Sequence, residues 1–189
     1  MKHFFFALMI LAGLLARPAA AQEAATPVEY SERVTTENIS QQVLQARVLD
    51  WAQSKFTFGP QTGLQSDPVA GTVRLNGTVL LKPLAANGKE QEVTAQFEFI
   101  FQSTDQGYTY SVGSFRVMPD KKTPTVLVPL DEYLTQLRAD KAIERTKNDR
   151  RITAQANARA NDVALSFRSY MNSMPSIEDG NVGIAASEQ

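Results

Sequence analysis

The sequence contains no cysteine, and its one histidine, His3, is the third residue of the chain. These two residue types supply most zinc ligands and many catalytic nucleophiles and bases. Beyond residue 3, no zinc site of Cys or His, no Ser–His–Asp triad and no Cys–His pair can form within this polypeptide. The glycine patterns of dinucleotide and P-loop sites are also missing. Without disulfides, the fold must depend on its hydrophobic core.

The sequence also lacks an excess of either positive or negative charge. The 189 residues include 19 basic and 20 acidic side chains, and 43% of the residues are hydrophobic. This composition is typical of one globular domain, and it excludes a disordered, fibrous or polytopic membrane protein. Nucleic acid recognition needs a concentrated basic patch. We therefore expect no nucleic acid partner.

The start of the chain has the pattern of a secretory signal peptide. A short basic start, Met1–His3, precedes the apolar run Phe4–Ala16, and the small residues Ala19–Ala21 follow. The alternative is a membrane anchor, which needs about 20 apolar residues. We predict cleavage after Ala21 and an exported protein, periplasmic or secreted, without a membrane span. The remaining chain has 17 basic and 20 acidic residues.

The next segments predict a strand followed by a helix. After a flexible lead-in over residues 22–27, alternating side chains predict a short strand over Val28–Val34. An apolar stripe at helical spacing predicts a helix over Ile39–Lys55. Asn38 and Gln41 have the spacing of a capping box at its start.

A period of two then predicts an antiparallel meander with one apolar and one polar face. Its strands cover Gly71–Lys82, Val93–Gln102 and Tyr108–Val112. Asn76-Gly77 is a usual hairpin signal, but the two arms would be very short. We therefore predict one long strand, bent or bulged at Gly77, and place the turn at Asn87-Gly88.

The second half of the chain is predicted to be mainly helical. A short edge strand over Val126–Val128 completes an α+β domain at residues 28–129, with helices packed on the apolar face of the sheet. Helices follow over residues 130–175, the longer one ending at Pro175. Residues 176–189 have the composition of a disordered tail.

The polar face of the predicted sheet is the main candidate binding surface. If the helices cover only the apolar side, this face is open to a peptide, a glycan or another ligand; the alternative is a plain hydrated surface. The candidate ligand-binding residues on it are Arg74, Gln96, Glu98, Thr109 and Ser111.

Paired carboxylates are the main chemistry left for an enzyme. The pairs are Asp131-Glu132, Glu90 with Glu92, and Glu178-Asp179. We interpret them as helix-start charges, the solvent side of a strand and part of the tail. The sequence therefore indicates no catalytic residue, metal site or cofactor.

Two further patterns have a functional and a structural interpretation. A basic run can bind an anionic surface, but its interleaved acidic residues favour a solvated helix face. The run consists of Arg138, Lys141, Arg145, Lys147, Arg150 and Arg151. Gly107–Tyr110 has the tyrosines of a base-stacking strand, yet they share the core-facing side with Val112, which favours packing.

The order of these segments resembles an exported bacterial domain of unknown function with a TBP-like fold, over Val28–Phe115. The resemblance implies a curved antiparallel sheet backed by helices and no established activity. The shape alone gives no reason to expect DNA binding. It rests on Val28–Tyr30, Trp51–Phe56, Asp67–Gly71, Phe97–Phe99 and Gly107–Phe115.

The missing catalytic residue types and the polar face favour a non-catalytic binding or interaction module. Its partner is an unidentified ligand or envelope protein. Two alternatives remain: a carboxylate-dependent enzyme, with or without a divalent cation, and a structural component of the envelope.

Overall fold

The computed structural model describes residues 27–120, 123–139 and 147–173. The predicted leader, the predicted tail, and Lys141 and Arg145 of the basic run lie outside the described residues.

Six strands in the described part of the chain form a single antiparallel sheet in the order β1-β5-β4-β3-β2. The short β6 pairs with the same edge of β5 as β1 does, further along the strand. Helix α1 ends in a π-helical turn, Trp51–Lys55. In chain order the elements are β1 (Tyr30–Thr35), α1 (Gln41–Asp50), β2 (Thr62–Asp67), β3 (Thr72–Leu81), β4 (Val93–Thr104), β5 (Gly107–Met118), β6 (Val128–Pro129), α2 (Leu130–Ala139) and α3 (Asn148–Asn172).

The predicted fold class is confirmed: a curved, open antiparallel sheet carries helices on its apolar face. Buried and partly exposed side chains alternate along the whole of β4, and every second side chain from Val93 to Ser103 is buried. Trp51 of the π-helical turn and Phe167 of α3 pack against Phe99 of β4, with ring centroids 4.9 and 5.0 Å from it. The core therefore lies between one sheet face and the helices.

Helix α1 starts differently from the prediction. Ser40 is its N-cap, and the Ser40 hydroxyl accepts a hydrogen bond from the Val43 amide at 3.4 Å. Asn38 lies outside the helix with φ 59°, and the side-chain amide of Gln41 donates to the Pro68 carbonyl instead. The predicted capping box is wrong because the chain bends at Asn38, and Ser40, which has the extended conformation of a capping residue, takes the N-cap position.

Gly77 forms neither a hairpin turn nor a bulge in the pairing with β4. The β3–β4 register is continuous from Thr72 to Leu81, and Gly77 lies opposite Phe97. An added Cβ at Gly77 would overlap the rings of Phe97 and Phe56, so the glycine makes room for aromatic packing. The single long strand is confirmed, whereas the irregularity lies in β2, between Thr62 and Gln65.

Several predicted boundaries were also incomplete. The strand β2 was not predicted, and β5 continues to Met118, beyond the predicted end at Val112. The predicted edge strand over Val126–Val128 is confined to Val128–Pro129. The turn at Asn87-Gly88 is confirmed by the Gly88 φ of 79°.

Helix α3 is tied to the β3–β4 connection by the buried Asn148. Its side-chain amide donates to the Leu84 carbonyl at 2.7 Å, and its oxygen accepts from the Leu84 amide at 2.8 Å. None of the described helices combines the length and apolarity that crossing a bilayer requires.

Candidate functional site

The sheet face opposite the helices, here called the outer face, carries all of the predicted binding residues. They alternate along each strand with the buried side chains of the core, so they face away from the helices. Arg74 lies on β3, Gln96 and Glu98 on β4, and Thr109 and Ser111 on β5.

Three of these residues cluster around Ile100 at the centre of the outer face. Ile100 pairs in register with Arg74 on one side and Ser111 on the other. Glu98 is two residues away along β4, and its carboxylate lies 3.7 Å from the Arg74 guanidinium. The Arg74 side chain is 54% exposed and that of Glu98 30%, so both are available to a ligand.

The remaining two predicted residues lie on opposite sides of this cluster. Gln96 is two residues beyond Glu98 and pairs with Arg116. Thr109 pairs with Gln102, roughly 13 Å along β4 from Glu98 at the usual strand rise. The structure therefore places the five side chains on one surface but not around one point.

Hydrogen-bonding groups dominate the rest of the outer face. No aromatic side chain projects from this face within the strands that the structure describes. Tyr108 and Tyr110 point to the core, as predicted, and are 2% and 1% exposed. Besides the predicted residues, the strands present Ser31, Arg33, Asn76, Thr78, Thr94, Gln102 and Arg116 there, together with the apolar side chains of Ile100, Leu80 and Met118.

The candidate carboxylates that the structure describes are all exposed: Glu90, Glu92, Asp131 and Glu132. Glu90 contacts Arg151 and lies 4.0 Å from the Lys82 amine, while Glu178-Asp179 lies outside the described residues. Across residues 27–120, 123–139 and 147–173, no three His, Cys, Asp or Glu side chains are grouped as a metal site requires. In the basic run, Arg138 pairs with Asp149 at 3.2 Å, as expected of a helix surface.

A charged cluster on the core side of β1 was not predicted. The Glu32 carboxylate accepts hydrogen bonds from the hydroxyls of Tyr110 at 2.5 Å and Tyr30 at 2.8 Å. Arg168 of α3 lies 3.4 Å away. The signal available in the sequence was the position of Glu32 between Tyr30 and Val34, on the apolar side of the strand.

This cluster lowers the pKa of Glu32 and raises the pKa of Tyr110. The hydrogen bond from Tyr110 lowers the pKa of Glu32, more than partial burial raises it, and Tyr30 and Arg168 add to the lowering. Burial raises the pKa of Tyr110, and its hydrogen bond to the Glu32 carboxylate raises it further. Glu32 is therefore an ionised group that joins β1, β5 and α3.

A cleft of about 470 Å³, here called the edge cleft, opens between β1 and β6 along β5. Pairing between β1 and β5 ends at Val112, and pairing with β6 begins at Arg116. Within this gap Ser114 adopts φ 52°, and the β4–β5 register shifts between Gln96 and Glu98. The cleft is lined by Pro27, Val28, Ser114, Phe115, Arg116, Pro129, Leu130, Asp131 and Leu134.

The left-handed backbone conformation of Ser114 leads to a prediction about stability. We expect Ser114→Val to lower the free energy of unfolding by about 1 kcal/mol, because a β-branched side chain is disfavoured in left-handed backbone more strongly than the unbranched serine. Ser114→Gly should not lower it. Urea titration measures both, with Ser111→Val as the control, since Ser111 lies in extended strand that accepts valine. Equal losses at Ser111 and Ser114 would contradict the prediction.

These features define an α+β domain of the TBP-like class. Residues 30–118 match DUF4468, described as a domain of unknown function with TBP-like fold. This part of the chain belongs to that family.

Two solved structures are similar to the chain. A TBP-like protein from Parabacteroides distasonis superposes with a TM-score of 0.56 at 13% identity, over 79% of this chain and 95% of that one. A DUF4468 family protein from Bacteroides ovatus gives a TM-score of 0.49 at 16% identity, over 79% and 88%. The first likeness shows the fold alone. A search of curated proteins finds no significant match.

Proposed function

We propose that the protein is an exported, non-catalytic module that binds a polar peptide or envelope protein through the outer face. The observation that carries this proposal is the arrangement of the sheet. The helices pack on the apolar face, and no described helix covers the other face, where only Thr78 and Gln102 of the polar side chains named above donate to loop carbonyls, those of Gly59 and Ala70.

The chemistry of the outer face favours a protein or peptide over other ligands. Proteins stack single-stranded bases on aromatic rings, which the described strands do not present on this face. Hydroxyls, amides and guanidinium groups instead provide many donors and acceptors for backbone and polar side chains. Arginine is also enriched in protein interfaces.

Export follows from the predicted leader. Cleavage after Ala21 would release the protein into the periplasm or the medium, where an envelope protein is an accessible partner. Native mass spectrometry of the protein purified from its host envelope tests this step and captures a bound partner together. A chain mass that includes residues 1–21 would contradict cleavage.

The outer face itself is tested by a double variant. We expect Arg74→Ala with Glu98→Ala to weaken binding of the captured partner at least tenfold, because both groups lie near the centre of the face. Isothermal titration calorimetry measures the affinity. The matched control is Arg159→Ala with Asp162→Ala, which removes an exposed ion pair of 3.1 Å from α3.

The control variant should bind within about twofold of the wild type. Unchanged affinity in the Arg74 and Glu98 variant would mean that the partner does not bind at the centre of the outer face. Equal losses in both variants would point to a general electrostatic attraction without a defined site.

A further inference from the structure

The edge cleft has the size and walls of a small-molecule site. Its volume of about 470 Å³ falls within the usual range for ligand pockets, about 300–1,000 Å³. Phe115, Leu130 and Leu134 contribute apolar walls from β5 and α2, and all three are at least 95% buried. Val28 closes the end next to β1. These walls favour a ligand with apolar side chains.

Two opposite charges border the same cleft. Arg116 lies on β5, and Asp131 lies in the first turn of α2. Arg116 pairs in register with Pro129, two residues before Asp131, so both charges lie at the β6 end. Among the described residues, no ion pair within 4.0 Å joins either of them to the other or to a third side chain. They complement a ligand that carries both a carboxylate and an ammonium group.

The strand edge beside the cleft is open over a short stretch. Val28 and Glu29 lie beside Gly113, and β6 begins to pair at Arg116, so within the described part of the chain the stretch without a strand partner on this side is Ser114 and Phe115. A peptide of two or three residues lying there would fill the space between Val28 and β6. Strand addition of this kind gives affinity through main-chain hydrogen bonds, and side-chain pockets give specificity.

We propose that the edge cleft binds a short zwitterionic peptide of two or three apolar residues. The Arg116 guanidinium donates to its carboxylate, and the Asp131 carboxylate accepts from its ammonium group. The apolar side chains pack against Phe115, Leu130 and Leu134. Arg116 also borders the outer face, but the cleft includes neither Arg74 nor Glu98, so either proposal can fail alone.

Calorimetry with dileucine and trileucine on the full mature protein tests the proposal. We expect saturable binding, and a loss of about tenfold when the peptide carries an acetylated amine or an amidated carboxylate. Arg116→Gln should abolish the preference for the free carboxylate, and Asp131→Asn the preference for the free amine. Both side chains are exposed, so neither variant should alter folding, which thermal unfolding checks.

Matched controls separate these effects from a change in net charge. Arg159→Gln and Glu132→Gln remove the same charges from exposed helix positions that do not line the cleft, and both should leave peptide affinity within about twofold. Absence of saturable binding at millimolar peptide would overturn the proposal. So would equal binding of blocked peptides, or binding of octanoate as tightly as trileucine, which would indicate an amphipathic anion instead.

Discussion

Replacing Phe167 with alanine is expected to lower the free energy of unfolding by about 3–5 kcal/mol, the usual range for a fully buried phenylalanine. Phe167 has no exposed surface and lies at the centre of the aromatic core. Its ring centroid is 4.8 Å from Tyr110 and 5.1 Å from Trp51. Removing the ring would leave a cavity at the contact of α3, β5 and the π-helical turn. That loss is a large fraction of the stability of a typical domain, about 5–15 kcal/mol.

Leu165→Ala is the matched control on the same helix. Leu165 is two residues away but 61% exposed, so its truncation should change stability by no more than about 0.5 kcal/mol. Urea titration followed by tryptophan fluorescence measures both variants, because Trp51 is the one tryptophan and lies against Phe167. A loss below about 1 kcal/mol in the Phe167 variant would contradict the docking of α3 described above.

The sheet was predictable where its side chains alternate strictly. In β3 and β4 the buried and solvent-facing residues follow the period of two, so the parity of Arg74, Gln96 and Glu98 could be assigned from the sequence. The same reasoning placed Tyr108 and Tyr110 in the core. Helix α3 was predictable because its buried residues recur at helical spacing.

Strand β2 could not be predicted because it has almost no apolar face of its own. Of its six residues only Leu64 is partly buried, and Gly63 has φ 63°. The strand exists because β3 offers an edge with which it can pair. Pairing of this kind depends on tertiary context, which a local pattern does not contain.

The edge cleft was missed because it depends on an irregularity. Alternation in β5 breaks at Gly113-Ser114, where the sequence indicates a strand end. The strand in fact continues to Met118 through the register shift opposite Phe97. Gaps between strands that share one edge become visible only when the pairing is known. The break at Gly113-Ser114 was the available signal, and such irregularities are common beside binding sites.

Glu32→Ala is expected to lower the free energy of unfolding by about 2–3 kcal/mol at pH 7, since hydrogen bonds to charged groups are worth about 1.5–3 kcal/mol. The variant would remove the acceptor of the Tyr110 and Tyr30 hydroxyls and the ion pair with Arg168. Tyr110 is 1% exposed, so water cannot fully replace the lost carboxylate. Urea titration at pH 7 measures the difference.

The pH dependence of this difference has a definite sign. The folded protein lowers the pKa of Glu32 below its ordinary value of 4.5, so at acidic pH the unfolded chain binds the proton more readily. The stabilisation by Glu32 is therefore complete above the ordinary pKa and disappears as the pH falls through the lowered one. The difference in the free energy of unfolding between wild type and Glu32→Ala should be constant from about pH 6 to 8 and shrink below about pH 4.5.

Glu98→Ala is the control, because it removes a carboxylate from a solvent-exposed ion pair. Its cost should be no more than about 1 kcal/mol. Tyr110→Phe should show non-additive losses with Glu32→Ala, since the two side chains share a hydrogen bond. A gap between wild type and Glu32→Ala that stays constant down to pH 3 would mean that protonation of Glu32 is not coupled to folding. Additive losses would mean that the Tyr110 hydrogen bond contributes little, and the cost of Glu32→Ala would then come mainly from the contacts with Tyr30 and Arg168.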